Sequence, residues 1–365
     1  MECLEMPVWT DFTQKEIESL RIDLPDSKIH QKVLHNWDMV AKPLDGLGKF
    51  EKIIAKIGAI THTAEINISK KAVIIMCADN GIVAEKISQS GHEVTAAVAA
   101  KMALKKSSVG KMANVIGADT IPIDIGINSD KRIEGLIDKR ISNGTRNFAI
   151  EPAMTECETI KAIYTGIEIV YECKKSGYNI LATGEMGIGN TTTSSAIVAA
   201  LLKCDVSKVT GRGAGLDSAG LLRKQKVIAD AIEKYDLTNA DTLTVLRTVG
   251  GLDIAGLAGV CIGGALFHIP IVLDGVIAMV AGLVAESILP GIKEYLIASH
   301  RGKEPAVEYL IRELELEPVI DGSLALGEGT GAVMMMSLLD VALSVYSDMT
   351  TFSDIQTPHY IRFLS

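Results

Sequence analysis

The sequence predicts an α/β protein whose parallel sheet is covered by helices. From Lys71 onward, short apolar runs alternate with segments of helical periodicity, which is the pattern of parallel strands joined by right-handed crossovers. We predict strands at residues 72–77, 118–125, 178–182 and 269–273. Such folds bind ligands at the carboxyl ends of their strands.

The first seventy residues predict helices and no strand. Apolar residues recur at helical spacing over three segments, Asp11 to Ile22, Ser27 to Asp38 and Gly46 to Ile60. This part of the chain also carries both tryptophans, Trp9 and Trp37. We therefore expect a helical unit in front of the sheet.

The most apolar segment, 249–284, is predicted to belong to the core of the sheet and not to a membrane. Charged residues, Pro270 and several glycines interrupt it, so that no stretch of about 20 apolar residues remains to cross a bilayer. The pattern indicates a helix from Asp253 to Phe267, a strand from Ile269 to Leu273 and a helix from Val276 to Ser287.

Composition favours a small-molecule ligand. The chain of 365 residues has 45 acidic and 36 basic residues with no basic run, which argues against a nucleic-acid partner or an anionic membrane surface. Its six cysteines are scattered without a C-x-x-C pair, so zinc and disulfide frameworks lack support. The acidic start has no apolar signal region, and we expect the protein in the cytoplasm.

Polar residues and glycines come directly after each predicted strand in the sequence. They are Ala78 to Gly81, Gly126, Gly184 with Glu185, and Asp274 with Gly275. Such endings suit a site at the carboxyl edge of the sheet, although Asp, Asn and Gly are also ordinary loop residues.

The segment 184–193 joins a strand to a helix through glycines and predicts a phosphate site. Its glycines let the backbone approach an anion, and Asn190 or Thr191 is expected to cap the helix that runs through Ala196 to Leu202. No lysine follows the last glycine, and the glycines at 184, 187 and 189 do not form G-x-G-x-x-G, so ATPase and NAD-dependent functions are disfavoured. A plain tight turn stays open as the alternative.

A second glycine cluster, Leu326 to Ala332, leads into a helix predicted from Val333 to Val345. Glu328 is its one acid. A carboxylate among glycines stays accessible to a ligand, whereas an acid at a helix start is also explained by the helix dipole.

Taken together, these motifs resemble the nicotinate-nucleotide:dimethylbenzimidazole phosphoribosyltransferase family, which activates the lower ligand of cobamides. The resemblance covers roughly residues 40 to 350. It rests on the segments 78–82, 93–95, 124–126, 184–192, 211–217, 250–254, 273–275, 299–300 and 326–332.

The resemblance implies a three-layer α/β/α Rossmann-like parallel sheet with a small helical domain formed from the chain termini. Residues 1–70 would be the N-terminal part of the small domain, 71–335 the α/β catalytic domain and 336–365 the C-terminal helical part. It further implies a dimer whose active sites lie near the subunit interface.

The implied reaction moves the 5-phosphoribosyl group from nicotinate mononucleotide to an aromatic base and releases nicotinate. An α-ribotide forms from a β-nucleotide, so the base attacks opposite the leaving group. The leaving pyridinium departs as neutral nicotinate, and the resemblance implies no cofactor and no metal. The attacking nitrogen must lose a proton, and Glu328 is the implied general base.

The resemblance also assigns the other site residues. The backbone of Gly187, Gly189 and Asn190, with Thr191 beside it, would hold the phosphate, and Lys224 would supply countercharge. Glu185 would orient the ribose or base. Asp253 and Asp274 would contact or support the ribose, although as aspartates they could equally be turn and cap residues.

The acceptor base is expected near Ser90, Leu326 and Asp79. His92 is a possible alternative base, but a lone loop histidine is more often a surface residue.

Two positions depart from the family pattern. Ala325 replaces a common arginine, and Gly302 replaces a common serine after Ser299 and His300. Loss of a charge-assisted hydrogen bond of about 1.5–3 kcal/mol weakens binding by roughly one to two decades unless Arg301 or Lys303 substitutes.

Two hypotheses follow from these departures. The chain is either an enzyme with a shifted acceptor range that includes phenols, or a weakly or non-catalytic subunit paired with a paralogue. An NAD-dependent oxidoreductase is disfavoured by the glycine spacing, and a non-enzymatic nucleotide sensor would share the phosphate site without needing Glu328.

Overall fold

A computed structural model describes residues 13–362 of the chain. Its centre is a single parallel sheet of six strands in the order β3-β2-β1-β4-β5-β6. This is the strand order of a doubly wound fold, which confirms the predicted fold class. The strands are β1 (Lys71–Ala78), β2 (Asp119–Gly126), β3 (Ile137–Asp138), β4 (Ile180–Met186), β5 (Ile271–Leu273) and β6 (Leu296–Ala298).

Helices precede, connect and follow these strands. They are α1 (Gln14–Ser19), α2 (Ser27–Met39), α3 (Lys49–Thr61), α4 (Glu93–Ala103), α5 (Ser108–Val115), α6 (Glu156–Lys175), α7 (Asn190–Leu201), α8 (Val206–Val209), α9 (Ser218–Lys234), α10 (Thr242–Val249), α11 (Leu252–Leu266), α12 (Val276–Ile288), α13 (Val307–Glu313) and α14 (Thr330–Ser347).

Both faces of the sheet are buried. Successive side chains of a strand point to opposite faces, and in β1 both sets lie in a core. The even-numbered residues of β1 from Ala72 to Ala78 pack into a core with α6, α7 and α10 to α13. Its odd-numbered residues from Val73 to Cys77 pack into a second core with α2 to α5 and α14. Each fully buried Val, Ile or Leu side chain contributes about 1.5–3 kcal/mol. The two cores and the sheet between them make the three layers.

Glycines let α6 and α11 cross in close contact. A Cβ atom at Gly166 would lie 2.0 Å from the carbonyl oxygen of Gly256, and one at Gly259 would lie 1.9 Å from that of Ile163. This contact fixes α11, whose second residue is Asp253.

The segment that ends α14 and follows it packs beside the N-terminal helices. Val40 forms an antiparallel bridge with Thr351, and the Asn36 side chain donates to the Tyr346 hydroxyl at 2.8 Å. The Trp37 and Tyr346 rings lie 5.1 Å apart. The proposed domain boundary at residue 335 falls inside α14, and the division into domains stays a prediction.

The structure corrects several predicted elements. The strand predicted at 178–182 begins at Ile180 and continues to Met186, because β1 pairs with it as far as Met186. Strands β3 and β6 were not predicted, since they are short and lack the longer apolar run, 269–273, from which β5 was predicted. Trp9 and the start of the helix predicted from Asp11 lie outside the described residues.

Among the described helices, α14 alone is long and apolar enough to cross a membrane by length and composition. More than half of it is buried in the fold, where it packs on α3, α5, β4 and β5. A core helix of a folded domain meets the same length criterion.

Candidate functional site

A cavity of about 350 Å³ lies at the carboxyl ends of β4 and β5. This is the edge at which doubly wound folds bind ligands. Seven of the predicted site residues line it, namely Glu185, Gly187, Asn190, Thr191, Asp274, Leu326 and Glu328. A larger cavity of about 500 Å³ lies elsewhere, at β6, and none of the predicted site residues lines it.

Glu328 enters the cavity from a strained loop. Gly327, Glu328 and Gly329 have φ angles of 84°, 63° and 96°, so three successive residues adopt the left-handed conformation. This conformation costs a non-glycine residue about 1–3 kcal/mol and is concentrated at functional sites. The backbone N–H of Val109, in the first turn of α5, donates to Glu328 Oε2 at 3.2 Å and orients the carboxylate.

The loop that carries Glu328 is in backbone contact with the end of β4. A Cβ atom at Gly184 would lie 2.5 Å from the carbonyl oxygen of Glu328. One at Gly329 would lie 2.7 Å from Val73 Cγ1 and 3.1 Å from the carbonyl oxygen of Thr183. Side chains at these glycines would therefore push the two loops apart.

Asp274, at the end of β5, holds the start of α14. Its carboxylate accepts backbone N–H groups from Gly329 at 3.1 Å, Gly331 at 2.8 Å and Ala332 at 3.2 Å. An aspartate in this position satisfies the free donors of a helix start and complements its dipole. Asp274 thus lines the cavity and also fixes the loop before it.

Glu185 and Asp253 are joined through Asn190. The Asn190 side-chain amide donates to Glu185 Oε2 and to Asp253 Oδ2, the latter at 3.1 Å. Asn190 is the first residue of α7, and Gly189, with a φ of 97°, occupies the cap position. The prediction that Asn190 or Thr191 caps this helix is therefore wrong, because the Asn190 amide is engaged by two carboxylates.

Burial changes the protonation of this pair. It raises the pKa of Glu185 to about 8, with a further contribution from the negative charge of Asp253. It raises the pKa of Asp253 to about 6, while the Asn190 hydrogen bond opposes the rise. At neutral pH Glu185 is thus mainly a neutral acid that can donate a hydrogen bond into the cavity.

Lys224 of α9 is a buried cation beside the same cavity. Its side chain has no solvent exposure, and its ammonium donates to Thr191 Oγ1 at 2.8 Å. Burial lowers the pKa of Lys224 to about 8, although Glu304 partly opposes this. No carboxylate of residues 13–362 forms an ion pair with it at 4.0 Å or less. Such a cation favours an anionic ligand at Thr191.

The start of α7 borders the cavity beside Lys224. Within the described chain no side chain caps this helix. The N–H groups of Asn190, Thr192 and Thr193 donate to the carbonyl oxygens of Gly187 and Gly189, and Gly187 and Thr191 line the cavity here. Gly213 lies at the same end, since a Cβ atom there would lie 2.6 Å from Thr191 Oγ1 and 3.5 Å from Lys224 Nζ, and its N–H donates to Glu304 Oε1 at 3.1 Å. Helix dipole and Lys224 therefore act from the same side.

Five predicted residues do not line the cavity: Gly189, Lys224, Asp253, Asp79 and Ser90. The first three touch residues that do, as described above. Asp79 is fully buried, and its carboxylate accepts the Asn128 N–H at 2.8 Å and contacts His92 Nδ1 at 3.1 Å.

Ser90 lies on the loop before α4. The neighbouring Gln89 side chain donates to the carbonyl oxygen of Gly215 and so ties this loop to the wall that carries Gly213. His92 ends the loop, and the hydrogen bond to Asp79 raises the pKa of its imidazole.

Sequence reasoning missed several residues that line the cavity, namely Val98, Ile277, His300, Glu304 and Val307. Ser299-His300 was a motif without an assigned role. The structure places the Ser299 hydroxyl 3.0 Å from the carbonyl oxygen of Asp274 and 2.9 Å from His300 Nδ1. Burial lowers the pKa of His300.

Metal ligands were not predicted at this site. Within residues 13–362, no group of three or more His, Cys, Asp or Glu side chains is arranged to hold a metal ion.

Comparison with known proteins identifies the family. A family model described as phosphoribosyltransferase, DBI_PRT, matches residues 22–356, which is most of the chain and includes every residue of the cavity. The chain belongs to this family. It is therefore an enzyme of the pentosyltransferase class.

Relatives of this phosphoribosyltransferase are similar over nearly their whole length. A protein of Clostridium acetobutylicum named nicotinate-nucleotide--dimethylbenzimidazole phosphoribosyltransferase is 41% identical over 92% of this chain and 95% of its own. A protein of Acetivibrio thermocellus with the same name is 42% identical over 90% of this chain and 93% of its own.

A solved structure has a similar fold. The crystal structure of CobT from Thermus thermophilus superposes with a TM-score of 0.85 at 32% identity, covering 91% of this phosphoribosyltransferase and 99% of that chain.

The two departures noted in the sequence both lie at the cavity wall. Ala325 and Gly302 line it, as does Lys303. Arg301 instead pairs with Glu308 on the surface. Of Arg301 and Lys303, the two residues named as substitutes for the missing arginine, only Lys303 lines the cavity.

Proposed function

We propose that this phosphoribosyltransferase moves the 5-phosphoribosyl group from nicotinate mononucleotide to an aromatic base, such as 5,6-dimethylbenzimidazole, for cobamide assembly. The observation that carries the proposal is that one cavity joins an anion-binding helix start to an accessible carboxylate. The start of α7 and Glu328 both line it. The names of the relatives support the same reaction.

The chemistry needs one proton acceptor. A nitrogen of the acceptor base attacks C1′ of the ribose, and the bond between C1′ and the pyridinium nitrogen breaks with its electron pair moving to the leaving ring. Nicotinate leaves with a neutral ring, so its departure needs no acid. The N–H proton of the acceptor passes to the Glu328 carboxylate, which the Val109 N–H orients.

We propose that the phosphate lies at the start of α7. The backbone near Gly187, Gly189 and Asn190, the Thr191 hydroxyl and the Lys224 ammonium would hold it. The neutral carboxyl of Glu185 would then donate to a ribose oxygen.

Asp253 and Asp274 would act through their neighbours. Asp253 holds Asn190, and Asp274 holds the loop of Glu328. Both are positioning residues in this proposal.

The acceptor would lie beside Leu326, whose side chain is exposed to the cavity. The small residues Ala325 and Gly302 enlarge this end and would admit other flat rings, including phenols. Lys303 would then face the nicotinate carboxylate. Ser90 and Asp79 stay predictions for the acceptor end, and their loop adjoins the wall at Gly215.

The alternative of a weakly or non-catalytic subunit receives no support from the comparisons, since the relatives bear the name of the enzyme itself. The location in the cytoplasm stays a prediction from the sequence.

The isolated chain is expected to convert nicotinate mononucleotide and dimethylbenzimidazole into nicotinate and an α-ribotide, measured by mass spectrometry with phenol and p-cresol in parallel. Glu328→Gln should lower kcat by about 10²–10⁴, because general-base catalysis contributes that much. Glu151→Gln, on an exposed loop, is the matched control. Unchanged turnover in Glu328→Gln would exclude it as the base.

Binding of nicotinate mononucleotide should weaken as pH rises through about 8. The phosphate prefers the ammonium form of Lys224, whose pKa is about 8 in the free protein, so deprotonation removes the countercharge. Lys224→Met should weaken binding about ten- to hundredfold at pH 7 and make this pH step smaller, because only the deprotonation of Glu185, whose pKa is also about 8, then remains. Calorimetric titration from pH 6.5 to 9 measures both, and a step of unchanged size in Lys224→Met contradicts the assignment.

We further propose a dimer, either of two copies or with a paralogue, that covers an apolar stripe on α14. The stripe consists of Met334, Leu338, Val341 and Val345, with side chains 39–66% exposed. Apolar residues at this helical spacing on a surface mark an interaction face. α14 also begins directly after Glu328, so the interface would adjoin the cavity.

Val341→Glu should therefore convert the dimer to a folded monomer in light scattering, because it places a charge in the stripe. Ser347→Glu, beyond the stripe on the same helix, is the control. A wild-type protein that is monomeric at micromolar concentration would refute an interface between two copies of this chain.

A further inference from the structure

A second cavity of about 500 Å³ lies between α3 and the edge strand β6. It is separate from the site described above and shares no lining residue with it. One wall is the face of α3 that carries Lys49, Lys52 and Lys56, and another is β6 itself.

Lys56 is the deepest charge in this cavity. Its ammonium donates to the carbonyl oxygens of Lys293 at 3.0 Å and Leu296 at 2.8 Å. Burial lowers the pKa of Lys56 to about 8. No carboxylate of the described residues forms an ion pair with it at 4.0 Å or less.

Lys56 thus resembles Lys224. Both donate only to neutral oxygens, and desolvation lowers the pKa of both to about 8, although Lys224 is fully buried and Lys56 is half-buried. A buried ammonium with neutral partners gains stability when an anion enters beside it. Lys224 adjoins the proposed phosphate site, whereas no part of the proposed reaction uses Lys56.

Other cationic groups surround Lys56. Lys52 has no hydrogen-bond or ion-pair partner among the described residues and is exposed at the cavity mouth. Lys49 donates to the carbonyl oxygen of Pro318 at 2.7 Å. His30 faces them from α2, and burial together with Lys56 lowers its pKa.

The acids of the cavity lie on its rim. Glu315 is exposed and already pairs with Lys293 at 2.7 Å, while Glu294 and Glu317 are exposed. Solvent screens exposed charges more than buried ones. The inner end of the cavity therefore carries the Lys56 charge, which Glu294 offsets in part, and acids and lysines are balanced in number.

The remaining lining is apolar. Ile53, Leu296, Ile297 and Leu316 form a floor beside Lys56. A fully hydrated anion is not stabilised by such a floor. A flat aromatic ring is stabilised there, because it buries apolar surface that water would otherwise cover.

We propose that this cavity binds a small aromatic carboxylate, with the carboxylate on the Lys56 ammonium and the ring on the apolar floor. Lys52 adds charge at the mouth. The cavity is then an effector or reservoir site distinct from the catalytic one.

The probe is 4-fluorobenzoate, observed by ¹⁹F NMR with wild-type protein whose catalytic site is saturated with nicotinate mononucleotide. One bound probe per chain is expected to remain. Lys56→Gln, which keeps a donor for the carbonyl oxygens, should weaken this binding at least tenfold, and Lys52→Gln should weaken it less. Lys32→Gln, on the exposed side of α2, should leave it unchanged.

The pH dependence gives a second readout that needs no variant. Binding should fall as pH rises through about 8, because Lys56 then loses its proton. Absence of bound probe in the wild type, or equal binding by folded Lys56→Gln, would overturn the proposal. Displacement of the probe by inorganic phosphate at equal concentration would also overturn it, since the site would then select charge and not an aromatic acid.

Discussion

The arrangement of the candidate active-site cavity depends on a backbone contact between the end of β4 and the loop before α14. Gly184 leaves room for the carbonyl oxygen of Glu328, and the three left-handed residues 327–329 turn the chain sharply there. Asp274 holds the far side of the turn through the first N–H groups of α14. Because both ends are fixed, the Glu328 side chain projects into the cavity despite its unfavourable backbone conformation.

Charged side chains of opposite sign lie in different parts of the cavity around this contact. Lys224 and the start of α7 make one end of the cavity favourable for an anion, and Glu328 occupies the other wall. Between them, Glu185 is kept neutral by burial and by the charge of Asp253. The protein thus holds several carboxylates close together without an equal number of buried cations, because one of them is largely protonated.

The fold class and many of the residues that line the cavity could be predicted from the sequence. The apolar runs predicted the parallel sheet, and the resemblance indicated the family, because glycine clusters and strand-end acids recur in a fixed order. The predicted residues that line the cavity lie at strand ends and helix starts, where local sequence fixes position. The cap of α7 was predicted wrongly because Asn190 is engaged by Glu185 and Asp253, and the cap of α14 could not be predicted because Asp274 is distant in sequence. Strands β3 and β6 lack the longer apolar run, 269–273, that predicted β5.

The most direct test of this account is the steady-state kinetics of Gly184→Ala, with the crystal structure of the variant. The added methyl group would meet the Glu328 carbonyl oxygen at 2.5 Å, so it should displace the carboxylate and lower kcat at least tenfold. Thermal unfolding should stay cooperative, and the affinity for the mononucleotide should stay within a few fold of the wild type. A variant with wild-type kcat and an unmoved Glu328 would contradict the claim that this backbone contact positions the catalytic base.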